Sequence, residues 1–261
     1  FQVLLKSNND SFDLLYAYGL FCRDLKNFNL AKRVFLNLIN KFPSSINPYI
    51  LFAEILKIEN KFKDAERVLL KAIKIDPNHG DLLYNLSLLY FALRNFDYAL
   101  VYIDKAIKLS INNDIYKLLK SEIYINKSNI DKALLILEDL NSNNRIKKDN
   151  NKEIRINILL ADAFLKKRKF EEAEIILLKL IKKYQGLELA YLNLSILYKE
   201  KNQLSKSIKI LKKGINVSPN FMPFYKNLAT FYRNSGQLKL AIETNLFIIS
   251  RNKYDLSLIH I

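Results

Sequence analysis

Residues 46–79 read INPYILFAEILKIENKFKDAERVLLKAIKIDPNH, and the chain restates that pattern at a fixed interval. Small residues recur at Ala31, Ala65, Ala99 and Ala133, each 34 apart, and after a jump of 40 at Ala173, Ser207 and Ala241. Three positions earlier stand Phe28, Phe62, Phe96, Ile130, Phe170, Leu204 and Leu238, and a second small series runs Gly19, Ala53, Ser87, Ser121, Ala161, Ser195 and Ala229. Between these marks the apolar residues keep helical spacing: Ile55, Leu56 and Ile58, then Val68, Leu69, Ala72 and Ile73. Each unit therefore reads as two amphipathic helices, with small residues where the pair approaches most closely. Proline after the second helix, as in IDPNH, lacks an amide donor and disfavours helix in the residue before it. One such pair cannot bury its apolar face alone and must stack on the next, so the sequence predicts an all-α, right-handed α-solenoid of antiparallel helix-turn-helix repeats.

The period, the small residues at the eighth and twentieth positions, the rings at the eleventh (Tyr90, Tyr124, Phe164, Tyr198, Tyr232) and the closing Pro43, Pro77 and Pro219 together resemble the tetratricopeptide repeat. On that register residues 1–255 form a single array of bacterial type, met as a fragment: 1–11 are the end of a truncated repeat. Whole repeats follow at about 12–45, 46–79, 80–113, 114–147, 154–187, 188–221 and 222–255. In the fourth, Lys117 and Lys120 stand at positions that are apolar elsewhere, which predicts a first helix rotated or shifted to bury Leu118, Leu119 and Ile123. The run NSNNRIKKDNNKE, 141–153, reads as an exposed polar loop that supplies the extra length. Asn245 replaces an aliphatic or aromatic residue in the last repeat. The final LSLIHI, 256–261, reads as the translation of a transposase end used in sequencing-library preparation, hence non-native, with the first turn of an eighth repeat as the competing reading; on either reading the tail, His260 with it, carries no function.

Composition narrows the chemistry. Among 261 residues there are five Gly, five Pro and one Cys, half the chain is hydrophobic, and the formal net charge is +16. No apolar run approaches the roughly 20 residues needed to span a bilayer. Cys22 takes a ring position and reads as a packed thiol. The lysines are scattered, in a composition that A+T-rich coding would produce, and the densest run, Lys166–Lys169, is followed at once by Glu171, Glu172 and Glu174. That pattern argues for a solvated face rather than a nucleic-acid stripe or a localisation signal. His79 is the only histidine before the tail, and the glycines are isolated. No histidine acid–base pair, metal cluster or phosphate loop can be assembled, so the segment is read as no enzyme and as needing no cofactor. A cytoplasmic location is the working expectation.

In the family this chain resembles, the first helix of each repeat lines a concave surface. The resemblance implies a protein–protein interaction scaffold whose groove holds an extended peptide or amphipathic helix of a partner. By register the groove would present Tyr84, Asn85, Leu88 and Phe91, then Ile115, Leu118, Glu122 and Ile125, then Ile158, Asp162 and Leu165, then Leu192, Asn193 and Ile196, and finally Lys226, Asn227, Thr230 and Arg233. The competing expectation is a tight stack in which these residues pack on their neighbours. Asn85, Asn193 and Asn227 share a register similar to the asparagine ladder with which some family members hold a peptide backbone. The clamp by which others grip a chaperone's C-terminal carboxylate is not matched, since Ile50, Glu54, Ile158 and Asp162 stand where it needs amides and cations. Two alternatives remain: a substrate-recruiting arm of a larger glycosyltransferase or sulfotransferase, and RNA binding with steep salt dependence.

Overall fold

The structure is a computed structural model that describes residues 11–142 and 149–257, with side chains of the last helix described as far as Arg251. Among the described residues there are fourteen helices and no strand. Two compact units divide the chain, residues 1–128 and 129–261. The first holds α1 (Phe12–Asp24), α2 (Phe28–Lys41), α3 (Ile46–Ile58), α4 (Phe62–Ile75), α5 (Gly80–Ala92), α6 (Phe96–Leu109) and α7 (Asp114–Asn126). The second holds α8 (Ile130–Ser142), α9 (Asn150–Lys166), α10 (Phe170–Lys183), α11 (Glu188–Glu200), α12 (Leu204–Val217), α13 (Met222–Asn234) and α14 (Leu238–Ser257). Within each unit every helix packs on the next in sequence, which makes each a stretch of α-solenoid.

The repeat is a property of the backbone as well as of the sequence. Positive φ occurs at Lys26, Asn60, Arg94 and Ser128, and again at Arg168, Asn202 and Gly236, once in the turn inside each repeat. At Lys26, Asn60, Arg94, Arg168, Asn202 and Gly236 the amide of the next residue reaches the carbonyl five back, as Asn27 N does to Cys22 O at 2.9 Å and Gln203 N to Tyr198 O at 2.7 Å. This pattern satisfies the carbonyls left over at the helix end and turns the chain sharply into the second helix. The second helices begin at Phe28, Phe62, Phe96, Ile130, Phe170, Leu204 and Leu238, the residues that set the period.

The small residues sit at the closest approach of each hairpin. Ala53 and Ala65, Ser87 and Ala99, Ala161 and Ala173, and Ser195 and Ser207 are completely buried. In two hairpins a hydroxyl crosses the contact: Ser87 Oγ donates to Ala99 O at 2.9 Å, and Ser207 Oγ to Ser195 O at 2.6 Å. A Cβ on Gly19 would come within 2.5 Å of Phe35 Cε1. Around these contacts Leu69, Leu82, Leu86, Leu89 and Ile103 in the first unit, and Leu177, Leu194, Leu197 and Leu211 in the second, have no exposed surface. Burying one such side chain contributes about 1.5–3 kcal/mol.

Polar side chains staple successive repeats in a register of their own. Tyr90 Oη donates to Glu66 Oε1 at 2.6 Å and Tyr198 Oη to Glu174 Oε1 at 2.7 Å. Lys127 pairs with Asp97, Lys167 with Asp131 and Lys201 with Glu171, each lysine one repeat on from its acid. The run at 166–169 is absorbed in this way: Lys166 pairs with Asp162, Lys167 with Asp131 and Lys169 with Glu172, while the Arg168 guanidinium lies 5.7 Å from the centre of the Phe170 ring.

Two sequence expectations are settled in the fourth and fifth repeats. α7 buries Leu118, Leu119 and Ile123 as expected, yet it spans the same thirteen positions as α1, α3 and α5, so it is not shifted along the sequence. Lys120 reaches Asp104 at 2.7 Å instead of entering the core. The polar run 141–153 is not a loop throughout. Asn141 and Ser142 end α8, and Asn150–Glu153 form the first turn of α9, which is 17 residues long. The reason is a cap: the Asp149 carboxylate accepts from the amides of Asn151 and Lys152 at 3.1 and 3.2 Å, which offsets the poor helix propensity of asparagine. The middle of that run, 143–148, lies outside the described residues, as do 1–10 and 258–261 with His260.

Candidate functional site

The edge of the first helices that does not enter the hairpin contact is the candidate site, and it differs between the two units. In the first unit it carries Tyr16, Leu20 and Arg23 from α1, Ile50, Glu54 and Lys57 from α3, and Tyr84, Asn85, Leu88 and Phe91 from α5. Tyr84, Leu88 and Phe91 are half-buried, whereas Asn85 is only 7% exposed. The rings of Tyr84 and Tyr116 stack with centres 5.3 Å apart, and Tyr116 Oη donates to Asp81 Oδ1 at 2.7 Å. On α7, Ile115 is exposed and Glu122 half-buried, but Leu118 and Ile125 are packed away. The open surface and the tight stack are thus both realised, at different positions of one register.

The charges of this face are matched within it. Arg23 holds Asp24 at 2.9 Å and lies 4.0 Å from Glu54 on the next first helix. Lys57 Nζ donates to Asn85 Oδ1 at 3.3 Å, and Asn85 Nδ2 donates to Asp81 O at 2.9 Å. Burial holds the Lys57 amine below the usual lysine range, with Glu54 opposing that shift. Burial also raises the Tyr16 phenol, Arg23 and Glu54 pulling on it in opposite directions. With one amide hydrogen on Asp81 O, its carbonyl oxygen taken by Lys57 and only 7% of its surface exposed, Asn85 is poorly placed to hold a peptide backbone.

In the second unit the face runs through Ile158, Asp162 and Leu165 on α9, Leu192, Asn193 and Ile196 on α11, and Lys226, Asn227, Thr230 and Arg233 on α13. The apolar members are half-buried, as are Asn193 and Asn227. Asp162 pairs with Lys166 of its own helix at 3.4 Å, and Lys199 with neighbouring Glu200 at 2.7 Å. Asn227 Nδ2 donates to Pro223 O at 2.9 Å, which leaves its carbonyl oxygen available. Lys226, Ala229, Thr230 and Arg233 line a cavity of about 210 Å³ with Asn245 and Ile248 of α14. Neither Lys226 nor Arg233 meets a carboxylate among the described residues, and both are exposed.

Arg23 and Lys57 were not singled out by sequence, although a signal existed. Cations stand 34 residues apart at Arg23 and Lys57 and again at Lys199 and Arg233, all at one repeat position. The remaining reactive groups have structural work. Cys22 is a buried free thiol, and His79 caps α5, its Nδ1 accepting from Leu82 N at 3.3 Å. Among the described residues no cluster of His, Cys, Asp or Glu could hold a metal ion, and no helix is long and apolar enough to cross a membrane.

A tetratricopeptide repeat model matches residues 46–79 and 189–221, and a second model of the same repeat matches 68–101. No curated protein matches the sequence. Solved structures do match in fold. A tetratricopeptide repeat protein from Parabacteroides merdae superposes with a TM-score of 0.75 at 16% identity, over 89% of this chain and 90% of that one. The Cut9–Hcn1 hetero-tetramer of the APC/C gives 0.69 at 16% identity, over 88% of this chain and 44% of that one. PilF of Pseudomonas aeruginosa gives 0.64 at 15% identity, over 86% of this chain and 99% of that one. With a 34-residue period in the sequence, seven positive-φ turns in the same register and repeat models on three segments, the chain is a tetratricopeptide-repeat protein.

Proposed function

We propose that this chain is a protein–protein interaction scaffold that holds an extended segment of a partner along its first helices. The observation that carries the reading is the division of labour on those helices. The edge facing the hairpin partner is buried to completion at Ala53, Ser87, Ala161 and Ser195, while the other edge keeps Tyr84, Leu88, Phe91, Ile158, Leu165, Leu192 and Ile196 half-exposed. Apolar surface left along the first helices of each unit, at positions the stack does not use, is what an extended segment or a helix can cover. The Cut9–Hcn1 neighbour is itself part of a hetero-tetramer, which accords with a scaffold role. Nucleic acid is disfavoured because the densest basic run is spent on ion pairs within the fold.

Photo-crosslinking tests the proposal. A photoreactive residue is placed at Leu88 or Ile196 on the first helices, and for comparison at Val101 or Ile175, which are exposed on second helices. In a lysate of the source organism, adducts are expected from Leu88 and Ile196 alone. Adducts from Val101 and Ile175 only, or none from any position, would overturn it.

A further inference from the structure

We propose that the first-helix face of the second unit recognises an acidic side chain flanked by apolar ones, within an extended protein segment, and that the carboxylate sits over Thr230 between Lys226 and Arg233. The inference rests on the scaffold reading and goes beyond it by naming the chemistry of the partner. Lys226 and Arg233 are seven residues apart on α13, two turns of one helix face, or about 10 Å along the axis. Thr230 stands midway, so both long side chains can converge on a group held above it. Thr230 Oγ1 already donates to Lys226 O at 3.0 Å and adds no positive charge of its own. Asn245 faces the same cavity from α14 with no hydrogen-bond partner among the described residues, and its amide can donate to a second carboxylate oxygen.

The first unit shows what this register looks like when the chain supplies the acid itself. Arg23 and Glu54 occupy the positions that Lys199 and Thr230 occupy in the second, one repeat apart in each case. In the second unit Lys199 turns to its neighbour Glu200, and with threonine rather than glutamate on α13 Lys226 and Arg233 meet no carboxylate among the described residues, beside the half-buried Leu192 and Ile196 and the cavity-lining Ala229 and Ile248. Two free cations next to an apolar row suit a mixed acidic and apolar peptide. A polyanion would instead need a track of free cations along this face, where Lys166 and Lys199 are already paired with Asp162 and Glu200. A lysine-bearing segment would be repelled, and the net charge of +16 speeds encounter with acidic partners.

The test selects a random short-peptide display library on the full chain, then measures the best peptide as an amidated synthetic copy by fluorescence anisotropy. The expected outcome is enrichment of Asp or Glu beside Leu, Ile or Phe. Affinity should fall at least about tenfold when that acid is replaced by its amide, and by as much for K226E/R233E. K226Q/R233Q, a milder change at two exposed positions, should give the same loss with unaltered circular dichroism. Enriched peptides without an acid, or acidic peptides that both double variants bind undiminished, would overturn the inference; loss of their binding in I196D would still leave the scaffold reading standing. Displacement by millimolar inorganic phosphate alone would mark a bare anion site and refute the peptide assignment. No enrichment by any form of the protein would overturn both readings.

Discussion

Arg23 and Lys57 in the first unit, and Lys199 and Arg233 in the second, hold the same repeat position on helices of the same kind, yet their surroundings have opposite consequences. In the first unit Glu54 and Asn85 answer the cations from neighbouring first helices, and the face is electrostatically closed. In the second, Thr230 and Asn227 stand at the corresponding places, Lys199 turns to its neighbour Glu200, and Arg233, with Lys226 two turns back on α13, is left for something outside the chain. The solenoid thus fixes where a side chain stands and leaves open what it meets. A repeat protein can vary its binding surface by single substitutions on one helix edge without disturbing the packed one.

That contrast is informative only if the packed edges of the two units are equivalent, and glycines test this with the largest expected effect. A Cβ on Gly19 would lie 2.5 Å from Phe35, and one on Gly214 would lie 2.6 Å from Phe224, both rings being fully buried. Overpacking of about 1–3 kcal/mol is offset in part by the roughly 1 kcal/mol that alanine gains over glycine in a helix. Gly19→Ala and Gly214→Ala should each lower stability by about 1–2 kcal/mol in urea titrations. Gly186→Ala has no atom within 4 Å of the new Cβ and should not destabilise. A large loss in one unit and none in the other would break the assumption.

The next effect is on binding. Thr230→Glu installs in the second unit the acid that the first already has at Glu54, and should weaken capture of the selected acidic peptide about tenfold while changing stability by less than about 1 kcal/mol. Unchanged affinity would mean that the open cations do not decide what binds there.

Much of this architecture was readable before any coordinates. The second helices begin on the residues that mark the period, because a ring or aliphatic side chain at that point closes the hairpin, and a solenoid repeats one local solution. The helical turn at 150–153 was not readable, since asparagine and lysine argue for a loop and only the carboxylate of Asp149, folded back on two amides, shows the cap. In the candidate site the register was legible and the electrostatics were not. Asn85 looks like Asn193 and Asn227 in sequence, but it is buried and its carbonyl oxygen is taken by Lys57, a residue 28 positions away. Periodicity assigns positions, whereas pairing depends on what the adjacent repeat happens to carry.

The tyrosine staples extend the comparison to pH. Burial, reinforced by the hydrogen bond to Glu174, pushes the Tyr198 phenol up to about 12. A raised folded value means that the staple contributes fully below the unfolded value near 10, and loses its contribution as pH rises from about 10 to 12. Tyr198→Phe should cost about 1 kcal/mol at neutral pH and progressively less above pH 10. Glu174 keeps Lys201 at 3.2 Å in that variant. In the first unit Glu66 has Tyr90 as its only hydrogen-bond partner among the described residues, so Tyr90→Phe should cost more. No loss in either variant at neutral pH would show that the hydroxyls add nothing beyond their rings.

The smallest effect on stability belongs to the reverse exchange, Glu54→Thr. At 4.0 Å, with both side chains about one-third exposed, the Arg23–Glu54 pair contributes on the order of 0.2–1 kcal/mol. Removing Glu54 also removes the one charge that opposes the burial of Lys57, whose amine is already held below its ordinary value. The cost of keeping Lys57 charged is present at low and neutral pH and is relieved as pH rises through its depressed value. The stability lost in Glu54→Thr should therefore be greatest near neutrality and shrink in alkaline buffer. Made in the K226E/R233E background, the substitution isolates the first unit, and acid-dependent peptide binding should reappear there with Arg23 left only its sequence neighbour Asp24. If stability falls as expected but no acidic peptide is captured, an unpaired cation in this register is not enough. The cavity shaped by Asn245 and Ile248 beside α13, which lies outside the repeat pattern, would then carry the specificity of the second unit.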